Sequence, residues 1–157
     1  MTPKIITKQQ ALQKLEAMCA RAEHCEGELR EKLRKWNISR QDSDEIIDSL
    51  RDGRYVDDAR FAKAYVRDKL RFNHWGRKKI AMGLYAKRVS KELINEALAE
   101  IDQEEYQGIL AALLQAKVRQ NPELPDSLEG RQKLFRFALS RGFESSLTAR
   151  IIKNLKN

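Results

Sequence analysis

The chain has 157 residues, enough for one compact domain or a few small packed modules. Apolar residues make up 41% of it and charged residues 34%, with a formal net charge of +8, and only seven glycines and three prolines interrupt it, which favours long helices over a turn-rich sheet protein. No run approaches about 18 consecutive apolar residues, so a membrane-spanning helix is excluded.

Met1 to Gln10 lacks the apolar core of a signal peptide, so the chain is expected to be cytoplasmic. Cys19 and Cys25 lie six apart with no CxxC spacing and read as two free thiols. The first predicted helix runs from about Thr7 to Glu23, with an apolar stripe at Ala11, Leu12, Leu15, Met18 and Cys19. A second spans Glu26 to Trp36 with Leu29, Leu33 and Trp36 on one face. Ser39 is a fitting N-cap for a third, with Ile46, Ile47 and Leu50 buried and Asp52-Gly53 at its end. Asp57-Asp58 then cap a helix from Ala59 to about Arg71, whose inner face is Phe61, Ala62, Tyr65, Val66 and Leu70. The link Asn73-His74-Trp75-Gly76 leads to a helix over Arg77 to Ala86, and Ser90 caps one reaching Ile101. A helix starting near Glu104 follows, with Ile109, Leu110, Leu113 and Leu114 inside. A loop holding Pro122 and Pro125 leads to a helix over Gln132 to Ser140, a turn at Gly142 and a last helix from about Ser145 to Leu155.

These elements repeat. Leu29, Leu33, Ile38, Ile46, Ile47 and Leu50, moved on by 51 places, meet Ile80, Leu84, Val89, Ala97, Leu98 and Ile101; moved on by a further 54, that second set meets Leu134, Ala138, Phe143, Ile151, Ile152 and Leu155. Gly76-Arg77 likewise meets Gly130-Arg131. The expected fold is all-α: three tandem three-helix repeats, at 7–54, 55–102 and 104–156, forming an elongated, curved, right-handed or solenoid-like array. Such an array offers a long surface and little room for a deep catalytic pocket.

Charge is sorted along the chain. From Ala59 to Lys91 eleven Lys or Arg residues face one acid, Asp68; from Glu92 to Glu129 nine acids face Lys117 and Arg119; from Gly130 onward seven bases face one acid. Arg60, Lys63, Arg67 and Arg71 recur at helical spacing, with Lys69 near their edge, Arg77, Lys78 and Lys79 opening the next helix, and Lys87 and Arg88 at its end. Cations at a helix start gain nothing from the dipole, so Arg77 to Lys79 point to a partner or to packing. The block reads as a face for phosphates or acidic protein, or else as a solvated surface. Trp75, in an interhelical link, either packs a seam or stacks on a base.

Chemistry for catalysis is missing. His24 and His74 fall in different units and neither suits a helical metal site; no G-x-x-x-x-G-K-[ST] or G-x-S-x-G element occurs. Asp57 and Asp58 suit capping better than a metal centre, since no further acid completes one. No metal, no cofactor and no enzyme activity are expected.

The run Tyr55-Val56-Asp57-Asp58-Ala59-Arg60-Phe61-Ala62, followed by Tyr65-Val66, resembles the central motif of the RecX family, regulators of the RecA recombinase. Glu28-Leu29-Arg30 with Lys32-Leu33, Trp75-Gly76-Arg77 with Ile80, Arg131-Gln132-Lys133-Leu134, and Arg141-Gly142-Phe143 extend the likeness over nearly the whole chain, from Ala11 to Leu155. Asn37-Ile38 and Lys87-Arg88-Val89 depart from the family's Lys-Gly and Lys-Gly-Ile turns. The resemblance implies tandem three-helix repeats that lie in the groove of a RecA filament on DNA and inhibit ATP hydrolysis, strand exchange and co-protease activity. It would thereby restrain recombination, DNA repair and the SOS response.

Of the residues above, Tyr55, Asp57, Asp58, Phe61, Tyr65, Gly76, Arg131, Gly142 and Phe143 carry the family motifs. Arg60, Lys63, Arg67, Lys69, Arg71, Arg77, Lys78, Lys79, Lys87 and Arg88 are the candidate filament or DNA contacts. The expected partners are a RecA filament and single- or double-stranded DNA, mainly through phosphates, with no membrane and the chain a monomer. The competing readings are a general basic DNA-binding protein without a filament partner, and a protein-protein adaptor indifferent to DNA.

Overall fold

Side-chain oxygens set most of the helix starts. In the computed structural model, which describes residues 5–155, Thr7 accepts from the Gln10 amide and opens α1 (Lys8–Arg21), and the Gln10 side chain closes the box. α2 (Glu26–Lys35) starts at Cys25, whose amide donates to Glu28 at 3.1 Å. Ser39 accepts from Asp42 and opens α3 (Arg40–Asp52). Asp57 accepts from the Arg60 amide and opens α4 (Asp58–Arg71). α5 (Arg77–Ala86) follows, and Ser90 accepts from Leu93 at the head of α6 (Lys91–Ala99). Asp102 opens α7 (Gln103–Gln120), a 3₁₀ turn covers Leu124–Asp126, Ser127 opens α8 (Leu128–Ser140), and α9 (Ser145–Asn154) comes last. No strand occurs among the described residues. The first four residues of the stretch read as lacking a leader core, and residue 156 of the third expected repeat, lie outside the described residues.

The fold is all-α, built of consecutive helix triplets, α1–α3, α4–α6 and α7–α9. One turn shows the repetition directly. The amide of Ile38 donates to the Leu33 carbonyl at 3.0 Å, Val89 to Leu84 at 3.2 Å, and Phe143 to Ala138 at 3.2 Å. Each is the same six-residue closure around one left-handed residue: Asn37 (φ 59), Arg88 (φ 64) and Gly142 (φ 94). The turn therefore keeps its left-handed geometry without the glycine of the family pattern in the first two triplets.

Two local expectations are corrected. α8 begins at Leu128, four residues before Gln132, because Ser127 accepts from the Gly130 amide and starts the helix there. α6 ends at Ala99 rather than Ile101. α3 does end at Asp52 with Gly53 as its C-cap (φ −81), and the left-handed residue that follows is Arg54 (φ 61). Both cysteines are free thiols.

By compactness the chain divides into two units. The first holds residues up to Ala64 together with Leu84–Asn95, and the second holds Tyr65–Gly83 together with residues from Glu96 onward. The boundaries fall inside α4, α5 and α6. The core of the first unit is Ala11, Leu15, Leu29, Leu33, Ile46, Ile47, Leu50 and Val56, all buried. In the second, Tyr106 and Phe143 lie ring to ring at 5.2 Å, and Leu110, Leu114, Leu134, Ala138, Leu147 and Ile152 are also buried.

Each unit contains a junction in which the start of one triplet's middle helix is completed by the next triplet. In the first unit, the Glu26 amide donates to Asp58 at 2.8 Å and Lys87 Nζ donates to Glu28 at 2.9 Å. The Cys25 thiol donates to the Lys87 carbonyl at 3.7 Å, and a Cβ on Gly27 would strike that carbonyl. The carboxylate pair is thus divided: Asp57 caps its own helix and Asp58 caps α2. In the second unit, the Arg77 amide donates to the Tyr106 hydroxyl at 2.9 Å, and that hydroxyl donates to Glu144. The Gly76 and Lys78 amides donate to the carbonyls of Arg141 (2.7 Å) and Gly142 (3.0 Å), an approach only a glycine at 76 permits.

Candidate nucleic-acid interface

Ion pairing sorts the ten candidate basic residues into groups. Arg60 is bound to Glu23 at 2.7 Å and to the carbonyls of Arg54 and Tyr55 at 3.2 and 3.4 Å. Arg71 meets Glu105 at 3.2 Å. Lys87 is held by Glu28. Arg77 is the most committed: its guanidinium bonds Glu144 at 2.8 Å and Gln103 at 2.7 Å, and lies 4.0 Å from the Tyr106 ring centroid. These four are parts of junctions or surface pairs. Reversing Arg77 would test the fold and not a surface.

The second unit presents a different arrangement at the end of α4 and the start of α5. Lys69 Nζ lies 4.8 Å from the Trp75 ring centroid and 5.4 Å from that of Tyr65, and Lys79 Nζ lies 4.7 Å from Trp75. The Trp75 amide donates to the Lys69 carbonyl at 3.0 Å, so backbone and ring fix the same lysine. Each contact at a partly buried ring is worth about 0.5–1 kcal/mol and orients the ammonium without neutralising it. Arg67 and Lys78 are exposed nearby in sequence. Arg67, Lys69, Lys78 and Lys79 have no carboxylate partner among the described residues. Lys63, in the first unit, is exposed.

The motif residues serve these arrangements. Val56 and Phe61 are buried, Tyr55 is 36% exposed, and a Cβ at Gly83 would strike the Tyr65 hydroxyl. Arg131 donates to the Pro125 carbonyl at 3.1 Å. Gly142 packs against the Lys79 backbone, where a Cβ would press on the Lys79 nitrogen.

Electrostatics at the junctions follow from partial burial. Burial alone would raise the Glu144 carboxyl, but hydrogen bonds from Tyr106 and Arg77 outweigh it and hold the group below its ordinary value. Burial likewise opposes Glu28, and the Lys87 ammonium and Cys25 amide overcome it. Burial, then the bond to Glu144, raises Tyr106. Asp58 is raised, chiefly by burial. Cys25 is pushed up to about 11, again by burial first.

Charge counting missed a further basic cluster. Arg30, Arg34 and Arg40 lie outside the dense block, yet they line one groove with Arg88 in the first unit. The helical spacing of Arg30 and Arg34 was the available signal. His24 also has a carboxylate partner at i+4, Glu28, at 3.5 Å. No group of three or more metal-ligating side chains is found among the described residues, and none of their helices is long and apolar enough to cross a membrane.

The family model for the second three-helix domain of RecX matches residues 57–98, and that for the third matches residues 103–152. The regulatory protein RecX of Clostridium beijerinckii is 30% identical over 132 residues, covering 83% of this chain and 61% of that protein. Those of Clostridium perfringens and Clostridium botulinum are 31% and 33% identical, each over 84% of this chain and 62% of the relative. The chain thus spans 61–62% of the length of these curated relatives. The crystal structure of RecX from Lactobacillus salivarius is similar with a TM-score of 0.84 at 21% identity, covering 94% of this chain and 96% of that one. A second crystal structure, of regulatory protein RecX, gives 0.83 at 21% identity over 93% and 73%.

Proposed function

The chain belongs to the RecX family, and from that premise we propose that it is an inhibitory modulator of the RecA recombinase. It binds in the groove of a RecA filament on DNA and suppresses ATP hydrolysis, strand exchange and co-protease activity. The triplets near 7–54, 55–102 and 104–156 are its repeating modules, and it works in the cytoplasm as a monomer, by adhesion and without a cofactor.

The observation that carries this reading is the face of the second unit where Lys69 and Lys79 share the Trp75 ring, with Arg67 and Lys78 on the same two helices. Side chains without internal counterions keep their full attraction for phosphates or for an acidic protein surface. Phosphate contacts of this kind supply affinity and little sequence preference.

The test is a titration of RecA ATP hydrolysis on single-stranded DNA with the wild-type chain and with a variant carrying Arg67→Glu, Lys69→Glu, Lys78→Glu and Lys79→Glu. The variant should keep its helical signal and need about tenfold more protein for half inhibition, with a shallower salt dependence. A folded variant that inhibits as well as wild type removes the assigned face. The alternative, a basic DNA-binding protein without a filament partner, predicts equal affinity for bare DNA and for filaments. A parallel titration on bare DNA decides between them.

A further inference from the structure

The first compact unit carries a cationic groove outside the densest basic stretch of the sequence. It is open, about 570 Å³ in volume, and its wall includes Arg30, Arg34, Arg40 and Arg88, one acid, Asp44, and one large apolar side chain, Ile38. Arg30 neutralises Asp44 at 2.7 Å. Arg34 pairs with Glu31 at 2.6 Å in an exposed i,i+3 contact, which yields easily to a better anion. Arg34 first, and Arg88 among the others, hold the Glu31 carboxyl below its ordinary value. Arg40 and Arg88 are exposed, and neither forms a close ion pair with a carboxylate among the described residues.

Arg88 stands in the left-handed turn position occupied by Asn37 and Gly142 in the other triplets. Arginine has no conformational advantage there, whereas Asn and Gly do. The turn is also fixed onto α2: Gly27 admits the Lys87 carbonyl, the Cys25 thiol donates to it, and Lys87 bonds Glu28. A strained residue on an anchored turn, adding a fourth guanidinium to a groove already lined by three, argues for a ligand. All four bases are arginines, whose planar fork of donors matches phosphate. The single apolar lining residue and the lack of an aromatic give a peptide no buried anchor.

We propose that this groove is a phosphate-binding track for a nucleic-acid strand, made of residues other than the Trp75 face. The inference takes its ligand class from the reading above but needs no recombinase. The full chain is titrated with fluorescent oligothymidine by anisotropy between about 50 and about 200 mM salt. Two variants are compared with wild type: Arg40→Ala with Arg88→Gly, and Arg40→Gln with Arg88→Asn. Both place a residue tolerant of positive φ at position 88, and circular dichroism checks their fold. Each should lower the slope of log affinity against log salt by about 1.4, the loss of two single-strand phosphate contacts. An unchanged slope overturns the proposal. So does polyglutamate that displaces the strand from wild type at equal charge, which would make this a carboxylate site. Tripolyphosphate that displaces it at equal phosphate concentration would assign the groove to a small free anion and also overturn the proposal. A wild-type chain that ignores bare strand overturns it as well, and leaves the recombinase reading to its own ATP hydrolysis assay.

Discussion

Tyr106→Phe removes one oxygen and leaves the ring packed on Phe143. That oxygen accepts the Arg77 amide at 2.9 Å and donates to Glu144. A hydrogen bond to a charged group is worth about 1.5–3 kcal/mol, and an orphaned buried amide costs about 1–3 kcal/mol. Arg77 retains its direct contact with Glu144, and both side chains are partly exposed, at 25% and 31%, so the two losses do not add in full. The expected destabilisation is therefore about 2–3 kcal/mol. For a chain of this size that lowers Tm by about 4–12 °C. The assay is urea and thermal unfolding at neutral pH, with the urea m value unchanged. Glu144 supplies a second readout. Its folded pKa is depressed, so its stabilisation is present above its ordinary value of about 4.3 and is lost as pH falls through the lower folded value. Removing the Tyr106 hydroxyl removes the first of the hydrogen bonds that depress it. The gap between wild type and variant should narrow below about pH 4.3. A gap under about 0.5 kcal/mol at neutral pH, or one that stays constant into acid, would refute the assigned network.

Gly142→Ala places a Cβ at φ 94 and against the Lys79 backbone, and should cost about 2 kcal/mol or more in unfolding experiments; Asn37→Gly at the equivalent turn should stay within about 0.5 kcal/mol. A tolerated Gly142→Ala would mean that the turn does not dictate the glycine. The Cys25 thiol is fully buried and pushed up to about 11, so a thiol reagent near neutral pH should label the partly exposed Cys19 in the folded chain and reach Cys25 only on unfolding. Peptide mass spectrometry after labelling checks this, and equal labelling of both in native buffer would contradict it.

The repetition was legible because an apolar position and its turn recur together. Leu33, Leu84 and Ala138 each accept the closing bond that the 51- and 54-residue offsets aligned. Ser39, Ser90 and Asp57 announced their helices by the same capping chemistry. Ser127 was missed because prolines at 122 and 125 suggested a longer loop, yet neither lies in the first turn that Ser127 caps. The second role of Asp58 was hidden because adjacent carboxylates look alike until one meets an amide 32 residues away. Counting bases along the chain located the stretch that includes Lys69 and Lys79, but it could not separate them from Arg77, whose carboxylate lies 67 residues on. The same counting passed over Arg30, Arg34 and Arg40, since they join Arg88 only through folding.

The head of α8 is completed differently from those of α2 and α5. Its Gly130 amide is met by Ser127 at 3.0 Å, Arg131 reaches back to the Pro125 carbonyl, and a Cβ on Gly130 would strike the Leu124 carbonyl. All these partners precede it in the chain. By contrast, Glu26 waits for an oxygen 32 residues downstream and Arg77 for one 29 residues downstream. During synthesis, which delivers the N-terminus first, the two earlier triplets therefore remain unfinished at these amides until the following helix has left the ribosome. The third closes as soon as its own residues emerge, and in doing so it also locks the triplet before it.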